Sequence, residues 1–301
     1  MDTDCLQFSL TPKERQHLQE QGYLVVPEAL DRATTTRLIA AVDRVDARER
    51  TPGHGADRLL SFANILPEDD AFVDLIDRPQ VFPKIWGLLG WNIYVYHTHL
   101  DVSPRLAAPP ERPVAWHQDS MRVNEEIECH PRPRLSVKVG YYLTDVSGPD
   151  WGNTLVLPGS HLTDELDCPN DGVSSPEGAV PVRVPAGAAL ILDRRLWHSR
   201  SPNFGPHARK VIWIGYAYRW LRPKDEMAVQ HLRDRVDPIR RQLLGLGCSA
   251  NSAYDPTDDD VPLRDWLRQH CPGDARWSPH HEREQARPPL YGTRGKNTGR
   301  R

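Results

Sequence analysis

Between residues 92 and 220 the chain is written in short runs of β-branched and aromatic residues, each cut off by Gly, Pro, Asp or Asn. The runs fall at 93–100, 135–143, 154–157, 182–184, 188–193 and 211–218, with turn sequences such as Asp150-Trp151-Gly152-Asn153, Pro158-Gly159-Ser160-His161 and Pro185-Ala186-Gly187 between them. No helical period long enough to cross over a parallel sheet intervenes. Short strands at this spacing predict an antiparallel sandwich or barrel and argue against alternating βαβ units. In the run 93–100 the alternation predicts Ile93, Val95, His97 and His99 on one face.

The flanks read differently. Thr11-Pro12-Lys13-Glu14 opens a helix with a capping residue, a proline at the first helical position and a glutamate to close the box; Gly22 ends it. A strand follows at 23–26, stopped by Pro27. Further helices are expected at about 35–45, 71–76 and 80–89, and a mobile loop at 48–57. Beyond Pro223 the chain turns helical and polar, with a helix over 226–244 broken near Pro238, an acidic run at 256–260, a short helix at 263–270 and a mobile basic tail from Pro288. We expect one domain over 1–301: N-terminal helical and strand support at 10–90, the β core at 92–220, and a helical extension with its tail at 224–301.

Composition narrows the function classes. A chain of 301 residues that is 39% hydrophobic and 26% charged can bury a sizeable core. Its net charge of -3 gives no electrostatic reason to expect nucleic acid or an anionic membrane as partner. Cys5, Cys129, Cys168, Cys248 and Cys271 are odd in number and form no CxxC pair, so free thiols are expected, not a disulfide framework or a structural zinc site. With no basic, apolar leader and no membrane-length apolar run, the expected location is cytoplasmic, as monomer or dimer.

Chemistry concentrates at Trp116-His117-Gln118-Asp119-Ser120. On an extended strand His117 and Asp119 point to the same side, so an imidazole nitrogen and a carboxylate oxygen can take neighbouring positions on one metal. His198, after the run 188–193, is the best third ligand. Two histidines and one carboxylate on one face of Fe(II) leave positions for a cosubstrate and O2. Arg209, eleven residues after His198 at the start of the next strand, can offer a two-pronged grip on a carboxylate, the group that 2-oxoglutarate presents away from the metal.

These pieces carry a resemblance. The Leu10-Thr11-Pro12 helix with Gly22-Tyr23-Leu24-Val25-Val26-Pro27, then Trp116-His117-Gln118-Asp119-Ser120, Gly152, Leu157-Pro158-Gly159-Ser160-His161, and His198 with Asn203 and Arg209 resemble the phytanoyl-CoA dioxygenase family in order and spacing. The resemblance implies a double-stranded β-helix (a cupin-like jelly roll) with helices outside. It implies Fe(II) held by His117, Asp119 and His198, and 2-oxoglutarate held by Arg209. Halogenating relatives carry a small residue in place of the acid, so Asp119 favours hydroxylation-type chemistry. Arg200 stands where family members often carry a hydroxyl residue, and Trp151 where many carry Asn.

Other residues are candidates with a plain alternative. His99, and less so His97, share the predicted inward face and would contact the cosubstrate or support those that do. Lys138 lines the pocket or lies on a solvated outer face. Thr154 offers its hydroxyl to the cosubstrate or is a strand threonine. His161 belongs to a tight turn and is read as structural, and Glu125, Glu126 and Glu128 as a wet loop or a contact for a cationic substrate. The expected function is oxidation of an unactivated C–H bond of a small molecule, by hydroxylation or oxidative ring closure. This would be a tailoring step in antibiotic or other natural-product assembly, on an amine- or sugar-bearing substrate. The alternatives are an acyl or terpenoid hydroxylase with Trp116, Trp151, Tyr141 and Trp213 lining an apolar pocket, a non-catalytic metal-binding jelly roll, and a zinc hydrolase.

Overall fold

The computed structural model describes residues 1–51, 55–109, 115–119, 121–168, 174–246 and 251–271. Ser120, Cys248, the tail from Pro288 and parts of the loops at 48–57, 103–113 and 164–178 lie outside the described residues. The strands are β1 (Tyr23–Val26), β2 (Leu60–Ala63), β3 (Ile93–Ser103), β4 (Ser136–Tyr142), β5 (Thr154–Val156), β6 (Val180–Val182), β7 (Ala189–Asp193), β8 (His198–Arg200) and β9 (Arg209–Tyr218). They make two antiparallel sheets, one ordered β1-β7-β4-β9-β3-β2 and the other β6-β5-β8. The helices are α1 (Pro12–Gln21), α2 (Arg32–Glu49), α3 (Asp70–Val73), α4 (Phe82–Leu89), α5 (Met121–Glu126), α6 (Pro238–Leu243) and α7 (Pro262–His270).

The period-two alternation of β4 and β9 explains the layering. One face of the large sheet carries Val137, Val139, Ile212, Ile214 and Tyr216, which pack with Phe72, Phe82 and Ile85 from α3 and α4. The other face carries Tyr142, Leu190, Leu192, Val211 and Trp213, which meet Val156 and Val182 of the small sheet. The site lies on this second side, opposite α3 and α4. Tyr141 faces the helices, fully buried, and donates to the Leu75 carbonyl (3.2 Å). It is therefore no pocket residue, contrary to the expectation that it could line one.

The opening helix forms as its cap predicts: Thr11 accepts from Glu14 N while Glu14 accepts from Thr11 N (2.9 Å). Its C-terminal end is docked, not merely ended. Gly22 sits at φ 81°, and a Cβ there would lie 2.6 Å from His161 Nδ1. His161 Nε2 donates to the Gln19 carbonyl (3.0 Å), Gly159 N to Gln21 (3.1 Å) and Asp193 N to Gly22 (2.9 Å). The Pro158-Gly159-Ser160-His161 turn is thus a socket for the end of α1.

Several expectations need correction. The second helix is longer than 35–45, because Asp31 caps it by accepting from Thr34 N (2.7 Å); its core face is Thr35, Leu38, Ala41, Val42 and Val45, with Ile39 only half-buried. The 226–244 helix does not form. Pro238 begins a helix instead of breaking one, since Asp237 caps at Ile239 N (2.8 Å) and a proline at the first position loses no intrahelical bond. The largest correction is in β3. Its register to β9 slips between Val95 and His97, so Tyr96 is the extra residue of a β-bulge. Ile93 and Val95 face the helical core with Leu100 and Val102, whereas His97, His99 and Asp101 turn to the site. The four residues predicted to share a face therefore lie on two.

Candidate active site

The segment around His117 is fixed by backbone before any side chain matters. His117 and His198 exchange N–H···O bonds (3.0 Å each way), and Asp119 N donates to the Arg194 carbonyl (2.9 Å). The intervening Gln118 points the opposite way, is buried, and donates through Nε2 to the carbonyls of Thr163 (3.0 Å) and Arg195 (2.5 Å). Strand alternation then forces His117 and Asp119 to one side, toward His198 on β8.

One ligand atom from each of His117, Asp119 and His198 lies within 4.8 Å of the others, the only such cluster of three or more among the described residues. The imidazole rings are 4.3 Å apart between centroids. Each donates from Nδ1 to the carbonyl two residues back, His117 to Ala115 and His198 to Leu196 (2.9 Å each). A carbonyl only accepts, so both protons sit on Nδ1 and both Nε2 lone pairs are free for a metal. Burial pushes His198 down to about 4, which keeps that lone pair available. Burial would raise the Asp119 carboxyl, but Lys138, His198, His117 and Lys224 pull it well below the usual carboxylate range. The donor set fits a divalent metal on one face.

A second centre lies deeper. Arg209 is 2% exposed, and its Nε and Nη1 have no hydrogen-bond partner. Nη2 donates to Thr154 Oγ1 (3.3 Å), which is also bonded to Tyr142 Oη (2.7 Å), and the guanidinium lies over the Tyr142 ring (5.5 Å). Asp101 is its nearest counter-charge, at 3.9 Å. Each buried donor left unmet costs about 1–3 kcal/mol, so this guanidinium has the free donors that a carboxylate could meet. Gly152 makes its room: at φ 71°, a Cβ there would be 2.8 Å from Arg209 Cδ. The glycine is thus a clearance for the arginine.

Lys138 and His99 stand between the two centres. Lys138 Nζ is 3.3 Å from Asp119 Oδ2 and 4.6 Å from the centre of the Trp213 ring, so it faces the metal-ligand cluster and not solvent. The Trp213 indole lies flat across Gly140, where a Cβ would be 2.5 Å from it. His99 stacks on Trp213 (6.2 Å, 19°) with its buried Nδ1 unbonded; burial, then Lys138, push it down to about 3. Arg200 also turns inward, 3.8 Å from Asp101; burial, then Arg209, lower it to about 10.

Not every candidate is brought in. Trp151 packs over Gly148 and Gly205 in the turn that bridges to Asn203, so it staples that turn. Glu125 and Glu126 are exposed on α5 and pair with Arg122 of the same helix. Sequence reasoning missed Asp101, Tyr142, Gln118 and Asp225. The first follows from extending the His97–His99 alternation by one step. Asp225 has no local signal: it reaches β3 from 127 residues away.

With this geometry in hand, comparisons with known proteins carry weight. The family model for phytanoyl-CoA dioxygenase matches residues 18–211. A dioxygenase of Aspergillus fumigatus, af480, is 26% identical over 246 residues, covering 76% of this chain and 75% of that protein. HygX from Streptomyces hygroscopicus, solved with nickel, 2-oxoglutarate and hygromycin B, is 15% identical with a TM-score of 0.58, over 71% of this chain and 90% of its own. The carbocyclase SnoK from nogalamycin biosynthesis is 20% identical with a TM-score of 0.54, over 76% and 92%.

Proposed function

The chain belongs to the phytanoyl-CoA dioxygenase family, and from that premise we propose that it is an Fe(II)/2-oxoglutarate-dependent dioxygenase that oxidises one unactivated C–H bond of a polar, amine- or sugar-bearing small molecule. The reaction is a hydroxylation or an oxidative ring closure, a cytoplasmic tailoring step in antibiotic or related natural-product assembly. The two antiparallel sheets are the walls of a jelly roll, and the site lies between them.

One observation carries this reading: two free Nε2 atoms and a carboxylate converge, and a buried guanidinium with two unmet donors lies on the face of the large sheet that carries Val211 and Trp213. His117, Asp119 and His198 hold the iron on one face. Arg209 takes the distal carboxylate of 2-oxoglutarate, and Thr154 and Tyr142 keep that guanidinium aimed. Iron and 2-oxoglutarate together supply the oxidising power for the C–H bond. The protein fixes donor geometry, excludes water through the Trp213 wall, and keeps Asp119 ionised beside Lys138. Relatives of the same fold support the substrate class: HygX is solved with hygromycin B, and SnoK acts in nogalamycin biosynthesis.

Anaerobic addition of Fe(II) and 2-oxoglutarate is expected to give a weak visible charge-transfer band, and air to give succinate. A metabolite screen read by stimulated succinate release, with product masses, separates a gain of one oxygen from a loss of two hydrogens. Neither band nor succinate would leave a metal-binding jelly roll. Activity that survives without 2-oxoglutarate or O2 would point to a zinc hydrolase.

A further inference from the structure

The β3 bulge builds a second histidine that the chemistry above does not use. At the bulge the Tyr96 carbonyl accepts from Lys224 N (2.8 Å) and Asp225 N (3.3 Å). This docks the Asp225 carboxylate, whose side chain is 1% exposed, against the slipped strand. Asp225 accepts from Thr98 N (2.6 Å) and Thr98 Oγ1 (2.8 Å) and lies 2.6 Å from His97 Nδ1. An ionised carboxylate only accepts, so the contact to His97 is made from a protonated Nδ1. In the neutral ring the other nitrogen, Nε2, carries a lone pair, and no hydrogen bond to a described residue engages it.

Location gives this lone pair a use. His97 pairs with Gly215, and Gly215 with Lys138, so His97 lies in the cross-strand row of the lysine that contacts Asp119. The side-chain-free Gly215 leaves room there for the edge of the Tyr96 ring. On its other side the His97 ring stacks on His99 (4.8 Å, 29°), which stacks on Trp213. The ring is 13% exposed, neither sealed in the core nor free in water. Asp225 thus does two things: it satisfies Thr98 at the bulge and it fixes the orientation of the His97 ring.

We propose that His97, held by Asp225, positions the substrate: its Nε2 accepts a hydrogen bond from a hydroxyl or ammonium group next to the carbon to be oxidised. This rests on the dioxygenase reading and sharpens it, because an acyl chain would leave Nε2 desolvated and unmet. Asp225 acts through His97 and is a positioning residue.

The test has two arms, on the full chain loaded anaerobically with Fe(II) and 2-oxoglutarate. In the first, diethylpyrocarbonate modifies His97 and not His99, mapped by peptide mass, and Asp225→Asn slows the modification about threefold or more. An unreactive His97 overturns the proposal without any substrate in hand. In the second, hygromycin B and other aminocyclitols are compared with long-chain acyl-CoA thioesters by stimulated succinate release. Stimulation by the aminocyclitols is expected. His97→Leu then raises their KM about tenfold and releases succinate without oxidised product. His97→Gln, which keeps an acceptor, restores coupling. The visible band and the KM for 2-oxoglutarate stay as in the parent, a pattern that a merely misfolded variant would not give. Stimulation by acyl thioesters that His97→Leu leaves unchanged overturns the proposal. Loss of the band in the parent protein is a different result, and would sink the dioxygenase reading instead.

Discussion

Two parts of the site are built by different means. The group His117, Asp119, His198 and Arg209 is set by regular backbone: strand alternation, a two-way N–H···O exchange between His117 and His198, and a glycine that makes room for one arginine. The surroundings of His97 are set by a strand slip and by an aspartate 127 residues from Thr98. The first part rests on an unbroken register. The second depends on how a bulge is filled, and so can be re-aimed without moving His117, Asp119 or His198.

The largest expected effect is at the metal end. His198→Ala should abolish the visible band and cut succinate formation by about a thousandfold, because the remaining two side chains would no longer cover one face of the iron. Retention of the band would break the comparison at its root. Next comes Arg209→Ala, expected to raise the KM for 2-oxoglutarate about a hundredfold, with Arg209→Lys only partly restoring it, since an ammonium cannot make the two-pronged contact. Gly152→Ala should follow, with about a tenfold rise in the same KM, and a loss of about 1–2 kcal/mol in denaturant unfolding. It moves Arg209 without removing it. Should Gly152→Ala leave that KM unchanged, the claim that backbone clearance places Arg209 would be wrong.

The smallest effect sits at the α1 socket. Burial lowers the His161 pKa from its ordinary 6.5, so the folded protein binds this proton less readily than the unfolded chain. Its stability contribution is present above about pH 6.5 and declines as the pH falls through that value. Wild type should therefore lose more melting temperature than His161→Asn between pH 7 and 5, by about 2 °C. Equal slopes would mean that His161 is not the group that titrates there.

Much of this was legible in the sequence. The α1 cap, the stop at Gly22, the β runs and the same-side placing of His117 and Asp119 were each readable from a few adjacent residues, because caps, alternation and turn chemistry act over one to four positions; joining His198 and Arg209 to that pair took the family resemblance. The failures share the opposite cause. The face of His97 and His99 was misplaced because period two assumes an unbroken register. Tyr141 looked available for the pocket because a strand does not say which of its faces the helices will cover. Pro238 looked like a break because its meaning depends on whether Asp237 caps the turn after it.

The sequence by itself determined that His117 and Asp119 would point the same way, since they sit two residues apart on extended backbone. Only the tertiary structure decided that the Arg209 guanidinium would be left with unmet donors, that Trp213 would lie flat on Gly140, and that Asp225 would close on the bulge. The physical reason is range: bond geometry along a strand propagates from residue to residue, whereas burial and the filling of a bulge are properties of surfaces brought together from distant parts of the chain.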